Sequence, residues 1–423
     1  MREDKGIFHN IDWITVLIYL ALILVGWLSI YSTNYDAESG RTIFDLSINS
    51  GKQFLRIISC LLITVAIFSI DFRTFESLAY IFYGILVLLL VFVLVFGREV
   101  AGSKSWFELG FFKIQPSEFA KWGTALALAR FMSVVNFKLD RFRNVAGIGA
   151  IIGLPMILIV LQGDTGTALV FAAFVVPLYR EGLNPLIVII GIAMAVIFIL
   201  TLFVTKIILV FSVVGVIAIS IFFIKKKNWK NILLAIAGGV MVISVIFAVD
   251  YVITDVLKPH QQNRIKALID PDSDPRGYGY NVINSKTAIG SGGFIGKGYL
   301  EGYYTQLDFV PEQTTDFIFC TIGEESGWLG SLVVIGLFIV LMIRIINLAE
   351  RQKSKFARIY GYAVGGIFFF HFMVNIGMTI GYFPVIGIPL PFISYGGSSL
   401  WGFTILLFTL LKLDAHRMQI LVH

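Results

Sequence analysis

Three stretches of this 423-residue chain carry residue types that can do chemistry. The first, Pro311-Glu312-Gln313-Thr314-Thr315-Asp316-Phe317, stands directly before an apolar run. A carboxylate there, Asp316, can accept a proton from an attacking hydroxyl. A plainer reading is also open: Thr314 or Thr315 caps the coming helix, and an acid in its first turn complements the dipole. The second stretch sets Arg98, Lys104 and Lys113 beside Trp106 and Phe107. The third is Glu118 with Lys121, a turn inside an apolar helix. An ionisable residue there is expensive and functional by default, although at i,i+3 the two can neutralise each other. An acid at a membrane surface, with cations from another segment, is what a transfer reaction on a phosphorylated lipid requires. The cations, or a bound divalent ion such as Mg or Mn, would stabilise a departing diphosphate. No ligand cluster marks a site for such an ion.

Other candidates carry less. The glycines from Gly290 to Gly298 invite a nucleotide-loop reading, but Gly298 stands where that motif needs Ser or Thr, and Ser291 where it needs Gly. The five histidines (His9, His260, His371, His416, His423) are scattered without metal-ligand spacing. Cys60 and Cys320 imply no disulfide framework. Glu324 and Glu325, two turns into a helix, either pair inside a bundle or mark a helix end.

The elements that must position these residues are membrane helices. The chain is 57% hydrophobic and 14% charged, with a mean hydropathy of +0.85. Soluble domains carry about a quarter charged residues, so this chain is expected to be an all-α polytopic membrane protein of about 10–12 transmembrane helices. Apolar runs recur near Trp13–Tyr31, Gln53–Ile70, Phe75–Phe96, Phe119–Val134, Val145–Gln162 and Thr167–Leu178. Others follow near Pro185–Val204, Ile207–Ile224, Trp229–Val252, Phe317–Arg344, Ala357–Tyr382 and Leu400–Leu413. The first is too long for a cleaved signal and lacks a small-x-small site, so it stays as a helix. With a cytoplasmic N-terminus, twelve crossings put Arg73, Lys138–Arg143, Arg180, Lys225–Lys230, Arg344–Arg358 and Lys412–Arg417 on one side, as the positive-inside rule demands. One helix more or fewer would strand a cluster outside. The net charge of +6 therefore encodes orientation rather than nucleic-acid binding. Three outer segments remain: Ser32–Lys52, Gly97–Ser117 and a long one spanning about 253–316. Such long loops are usually functional, and the glycines and tyrosines of the last read as an ordered element.

These residues resemble a known family. Ile114–Lys121 resembles its Q-P-S-E-x-x-K motif, preceded by G-x-x-x-W at Gly102–Trp106. Gln162–Thr167 resembles Q-P-D-L-G-T, with Gly163 and Thr165 replacing Pro and Leu and leaving the role of Asp164 open. Arg264–Asp270, Gly277–Tyr280, Gly290–Gly298 and Pro311–Phe317 resemble the large loop before P-E-x-x-T-D-F, and Gly387–Ser398 the signature G-x-P-L-P-x-x-S-Y-G-G-S. This is the shape, elongation, division and sporulation family, the RodA and FtsW peptidoglycan polymerases. Gly296-Lys297-Gly298 and Thr305-Gln306-Leu307 are similar to the elongation (RodA) branch. The resemblance implies a glycosyltransferase of the bacterial inner membrane that joins lipid II units into glycan strands outside, releasing undecaprenyl diphosphate. It also implies a class B penicillin-binding protein as partner, beside the membrane lipids. By motif position Asp316 would be the essential carboxylate and Lys121 its cationic neighbour. Trp106, Lys104 and Glu118 would shape the substrate site; Glu312 and Arg264 carry over without a defined role. The family has ten helices, so a hairpin near 207–252 would be an addition to one domain spanning 1–423. The rival readings are a division-type (FtsW) polymerase, a lipid-precursor flippase, and a scaffold for the transpeptidase.

Overall fold

The structure, a computed structural model, describes residues 10–35, 40–100, 102–109, 112–223, 228–251, 254–255, 262 and 278–419. Arg264, most of the 253–277 stretch and the basic residues Lys225–Lys227 lie outside the described residues. The helices begin with α1 (Trp13–Ser32), started by Asp12, whose carboxylate accepts the Thr15 N–H at 3.1 Å. Next come α2 (Asn49–Ser69), α3 (Phe72–Ser77), α4 (Ala79–Phe96), α5 (Pro116–Met132) and α6 (Phe142–Leu161). They are followed by α7 (Thr165–Val170), α8 (Val175–Arg180), α9 (Pro185–Phe203), α10 (Lys206–Phe223) and α11 (Trp229–Tyr251). The chain continues through α12 (Tyr278–Ser291), α13 (Tyr303–Gln306), α14 (Ile318–Glu350), α15 (Lys355–Thr379) and α16 (Gly397–Ala415).

Nine helices are long and apolar enough to cross a bilayer among the described residues. Two shorter apolar stretches, Thr165–Arg180 and Pro185–Thr201, and α5 match the other three predicted spans. The chain is a multi-pass helical membrane protein. Thr165–Arg180 is less regular than a single helix because a 3₁₀ turn at Phe171–Phe174 separates α7 from α8. Among the described residues the helical class has one exception: within Gly97–Ser117, expected as a loop, a three-stranded antiparallel sheet forms from β1 (Arg98–Val100), β2 (Ser103–Leu109) and β3 (Phe112–Ile114).

The chain forms two compact units, 1–182 with 283–423, and 183–282. The second holds α9, α10 and α11, in which α11 packs on both α10 and α9. The first unit contains every predicted site residue except Arg264. Its helices are apolar on both faces: Leu61, Leu62 and Val65 of α2 are exposed, while Cys60 and Ile67 are buried in the core. At the centre lies α5, whose residues Ala125 to Ala129 are wholly buried. Small side chains let its neighbours approach closely; a Cβ on Gly123 would stand 2.6 Å from Leu86 Cδ1.

Candidate active site

The site is built around α5, whose N-terminus follows β3 directly. Glu118 (2% exposed) and Lys121 (0%) lie on its inner face with Lys121 Nζ 2.9 Å from Glu118 Oε2. The mutual-neutralisation reading therefore describes the geometry, although two charges this deep are costly to keep unless fully hydrogen-bonded. The remaining contacts of the ammonium are with α15 and α16. His371 Nε2 is 2.9 Å away, and the ring of Phe403 lies 4.9 Å below Nζ. Lys121 is thus enclosed rather than displayed on a cavity wall.

Asp316 lies two residues before the first helical residue of α14, and neither threonine caps that helix. Thr315 Oγ1 instead donates to the carboxylate of Glu312 at 2.8 Å. Glu312, exposed and in the left-handed region (φ 59°), turns the chain so that its carbonyl accepts from the N–H groups of Thr315 and Phe317. The backbone around Asp316 is pinned at three successive carbonyls. Thr314 O accepts from Tyr395 N–H at 2.9 Å, Thr315 O from Ser394 Oγ at 2.5 Å, and Asp316 O from Asn375 Nδ2 at 2.9 Å. All three donors belong to α15 or the Gly387–Ser398 segment. Gly387 (φ 75°) is required there, since a Cβ would stand 3.1 Å from Asp316 Oδ2. The side chain of Asp316 itself is partly exposed.

The sheet joins the same end of the bundle. Ser398 Oγ accepts from Gln115 N–H at 2.9 Å and donates to Lys113 O at 3.2 Å, so the first turn of α16 is fastened to β3. Glu108 binds Arg98 at 2.5 Å and Lys113 at 3.0 Å. Hydrogen bonds from Lys113 first, then Arg98, hold its carboxyl below the usual glutamate range. Two of the three cations read from the sequence are thereby engaged. Lys104 is exposed, without a carboxylate partner among the described residues, and Trp106 on the same strand is half-buried. The main chain of Lys104 is anchored to Gln162 O at 2.8 Å. Asp164, whose role was open, caps α7 through Thr167 N–H and accepts from Gln115 Nε2 at 2.8 Å.

Glu324 and Glu325 mark a helix end of an unusual kind. Helix α14 is broken at Gly327 (φ 63°). The peptide groups freed by the break are taken up by the glycine-rich loop: Glu324 O and Glu325 O accept from the N–H groups of Lys297 and Gly298, while Trp328 and Leu329 N–H donate to Gly293 O and Phe294 O. Only a glycine fits at 296, where a Cβ would meet Glu325 O at 2.0 Å. The Glu324 carboxylate accepts from Lys297 Nζ, Tyr304 N–H, Thr305 N–H and Thr305 Oγ1, at 2.8–2.9 Å each. Glu325 accepts from Ser32 Oγ and Leu300 N–H. Both acids fasten the segment that leads to Asp316.

Sequence reasoning missed three participants, His371, Asn375 and Arg56, and gave Ser394 no role of its own within the Gly387–Ser398 motif. The guanidinium of Arg56 lies 4.2 Å over the Tyr395 ring. His371 and Asn375 had a signal, a polar pair at i,i+4 in an apolar helix, as did Arg56, a cation inside an apolar run. Among the described residues no three His, Cys, Asp or Glu side chains converge on a metal site.

A membrane helix bundle with a carboxylate, a sheet and a broken helix gathered at one end is the class of protein defined so far. Comparison with known proteins narrows it. The family model described as cell cycle protein (FtsW, RodA, SpoVE) matches residues 12–211 and 179–419. Peptidoglycan glycosyltransferase RodA of Treponema pallidum is 32% identical, over 97% of this chain and 98% of its own. Peptidoglycan glycosyltransferase MrdB of Escherichia coli K12 is also 32% identical, over 92% and 90%. A structure solved under the heading of polymerization and crosslinking by a peptidoglycan synthase complex superposes with a TM-score of 0.70 at 26% identity, covering 97% of this chain and 99% of that one. RodA of Thermus thermophilus shares the fold, with a TM-score of 0.62 at 23% identity over 96% and 97% of the two chains. The chain belongs to the shape, elongation, division and sporulation family.

Proposed function

We propose that this protein is a peptidoglycan glycosyltransferase that polymerises lipid II into glycan strands for cell elongation, on the outer face of the cytoplasmic membrane. The observation that carries the reading is the pinning of Asp316. A partly exposed carboxylate, with three successive backbone carbonyls fixed by α15 and the Gly387–Ser398 segment, keeps its geometry through a reaction. In the proposed step Asp316 takes the proton of an acceptor sugar hydroxyl as its oxygen bonds to the anomeric carbon of the donor. The bond from that carbon to the diphosphate breaks, and undecaprenyl diphosphate leaves with the electron pair. Lys104 is the sheet cation available to the departing diphosphate, since Arg98 and Lys113 are held by Glu108. Trp106 shapes the entrance beside it, and Glu312 shapes the turn that carries Asp316. Glu118 and Lys121 support the site from the core. The partner is a class B penicillin-binding protein that cross-links the product.

A transporter would use the break in α14 as an ion or substrate site. Here the main-chain groups freed at that break are paired with the glycine loop, which leaves the polymerase reading favoured. The test is glycan synthesis from purified lipid II by the purified protein with its transpeptidase. Glycan strands are expected. Movement of labelled lipid II across vesicles without any polymer would overturn the reading. Depletion separates the branches: rounded cells mean elongation, filaments mean division.

A further inference from the structure

We propose that His371 is a positioning residue of this site, holding the Lys121 ammonium in register with the segment that pins Asp316. The proposal rests on the reading of Asp316 as the reacting carboxylate. His371 is fully buried, and its two ring nitrogens face different partners: Lys121 Nζ at 2.9 Å from Nε2, and Pro389 O at 3.1 Å from Nδ1. The Glu118 carboxylate lies 2.9 Å from the same Nζ. An ammonium has no lone pair, so Nε2 must be the acceptor and Nδ1 must carry the hydrogen that goes to Pro389 O. The ring is therefore the neutral Nδ1–H tautomer, braced edge-on against Phe403 at 4.8 Å and 89°. One turn along α15, the amide of Asn375 donates one hydrogen to Ile388 O at 2.8 Å and the other to Asp316 O at 2.9 Å. One face of α15 thus grips two neighbouring carbonyls, Ile388 and Pro389, together with Asp316 and Lys121. The cation and the carboxylate come from segments almost two hundred positions apart in sequence. His371 and Asn375 give them a common support.

Replacing His371 by Leu keeps the bulk and removes both hydrogen bonds, whereas Gln can still accept from Lys121 and donate to Pro389 O. With lipid II as substrate, His371→Leu is expected to lower turnover by about tenfold or more with KM nearly unchanged, and His371→Gln to recover most of it. Wild-type turnover in His371→Leu, a change confined to KM, or a Gln variant as impaired as Leu would overturn the proposal. Should His371→Leu fail to accumulate in the membrane, ¹⁵N-histidine NMR of the unaltered protein decides. A neutral ring protonated at Nδ1 supports the geometry; an Nε2–H or doubly protonated ring overturns it. If the unaltered protein makes no glycan from lipid II, it is the glycosyltransferase reading that fails, and the NMR result still judges the contacts of His371.

Discussion

Glu118 and Lys121 are a charge pair that the bundle cannot easily do without. Removing one partner of a buried pair leaves the other uncompensated, which destabilises by about 3–5 kcal/mol. Lys121→Met should therefore lower the thermal unfolding midpoint in detergent as well as activity, and Lys121→Met with Glu118→Gln should unfold later than Lys121→Met alone. Unchanged unfolding in the single variant would contradict the pairing. The sheet cations are expected to behave differently. Lys104→Ala should cut turnover about tenfold or more, while Arg98→Ala, which leaves Lys113 on Glu108, should change it by less than about threefold. Equal effects of the two in a glycan-synthesis assay would sink the distinction. The pH dependence of the Arg98–Glu108–Lys113 contacts follows from the sign of the Glu108 shift. Glu108 is held below its unfolded value, so its contribution is present above the ordinary glutamate range and is lost as pH falls through the lower folded value. Neutral pH is within the stable window. The acids and lysines of the site were legible one by one, because charge is rare in apolar sequence. Their partners were not: His371 sits 250 positions from Lys121, and no local pattern announces such a contact.

At the scale of elements, the glycine-rich loop shows what sequence can and cannot tell. Its composition marked it as ordered, and the failed nucleotide motif removed one explanation for the glycines. What they serve is a backbone splice into α14 about thirty residues later, where glycine at 296 and 327 allows two main chains to touch. Gly296→Ala should force these chains apart. Strain at a left-handed position alone is worth about 1–2 kcal/mol, so limited proteolysis near 292–306 should become faster; an unchanged cleavage rate would contradict the splice. The three-stranded sheet was not legible. Two of its strands have only three residues, too few for alternation to show, and the Glu108 contacts that join β2 to Arg98 of β1 and Lys113 of β3 follow no local pattern. The motifs around it were nonetheless found in the right company, since Ser398 ties the Gly387–Ser398 segment to Lys113 and Gln115.

Across the whole molecule, helix placement was the most legible feature, because an apolar run of about twenty residues has few other uses. Sidedness rests on parity. The family match falls into two stretches that overlap at 179–211, where α9 and the start of α10 lie. The overlap ends where the two helices of the 207–252 stretch begin. If α10 and α11 are an added pair, deleting residues 206–251 removes two crossings and leaves the Asp316 segment on its original side. Membrane-impermeant labelling of a cysteine placed at Glu312 should then be equal in the full chain and the deletion variant. Loss of labelling in the deletion variant would mean that an odd number of crossings had been removed.

The negative charge at position 316 is central to the proposed chemistry, and Asp316→Asn removes it while keeping the size of the side chain. With equal amounts of protein in the membrane, glycan synthesis from lipid II is expected to fall by a hundredfold or more, about 3 kcal/mol in the barrier. A fully active Asp316→Asn protein would move the proton acceptor to another residue and contradict the account.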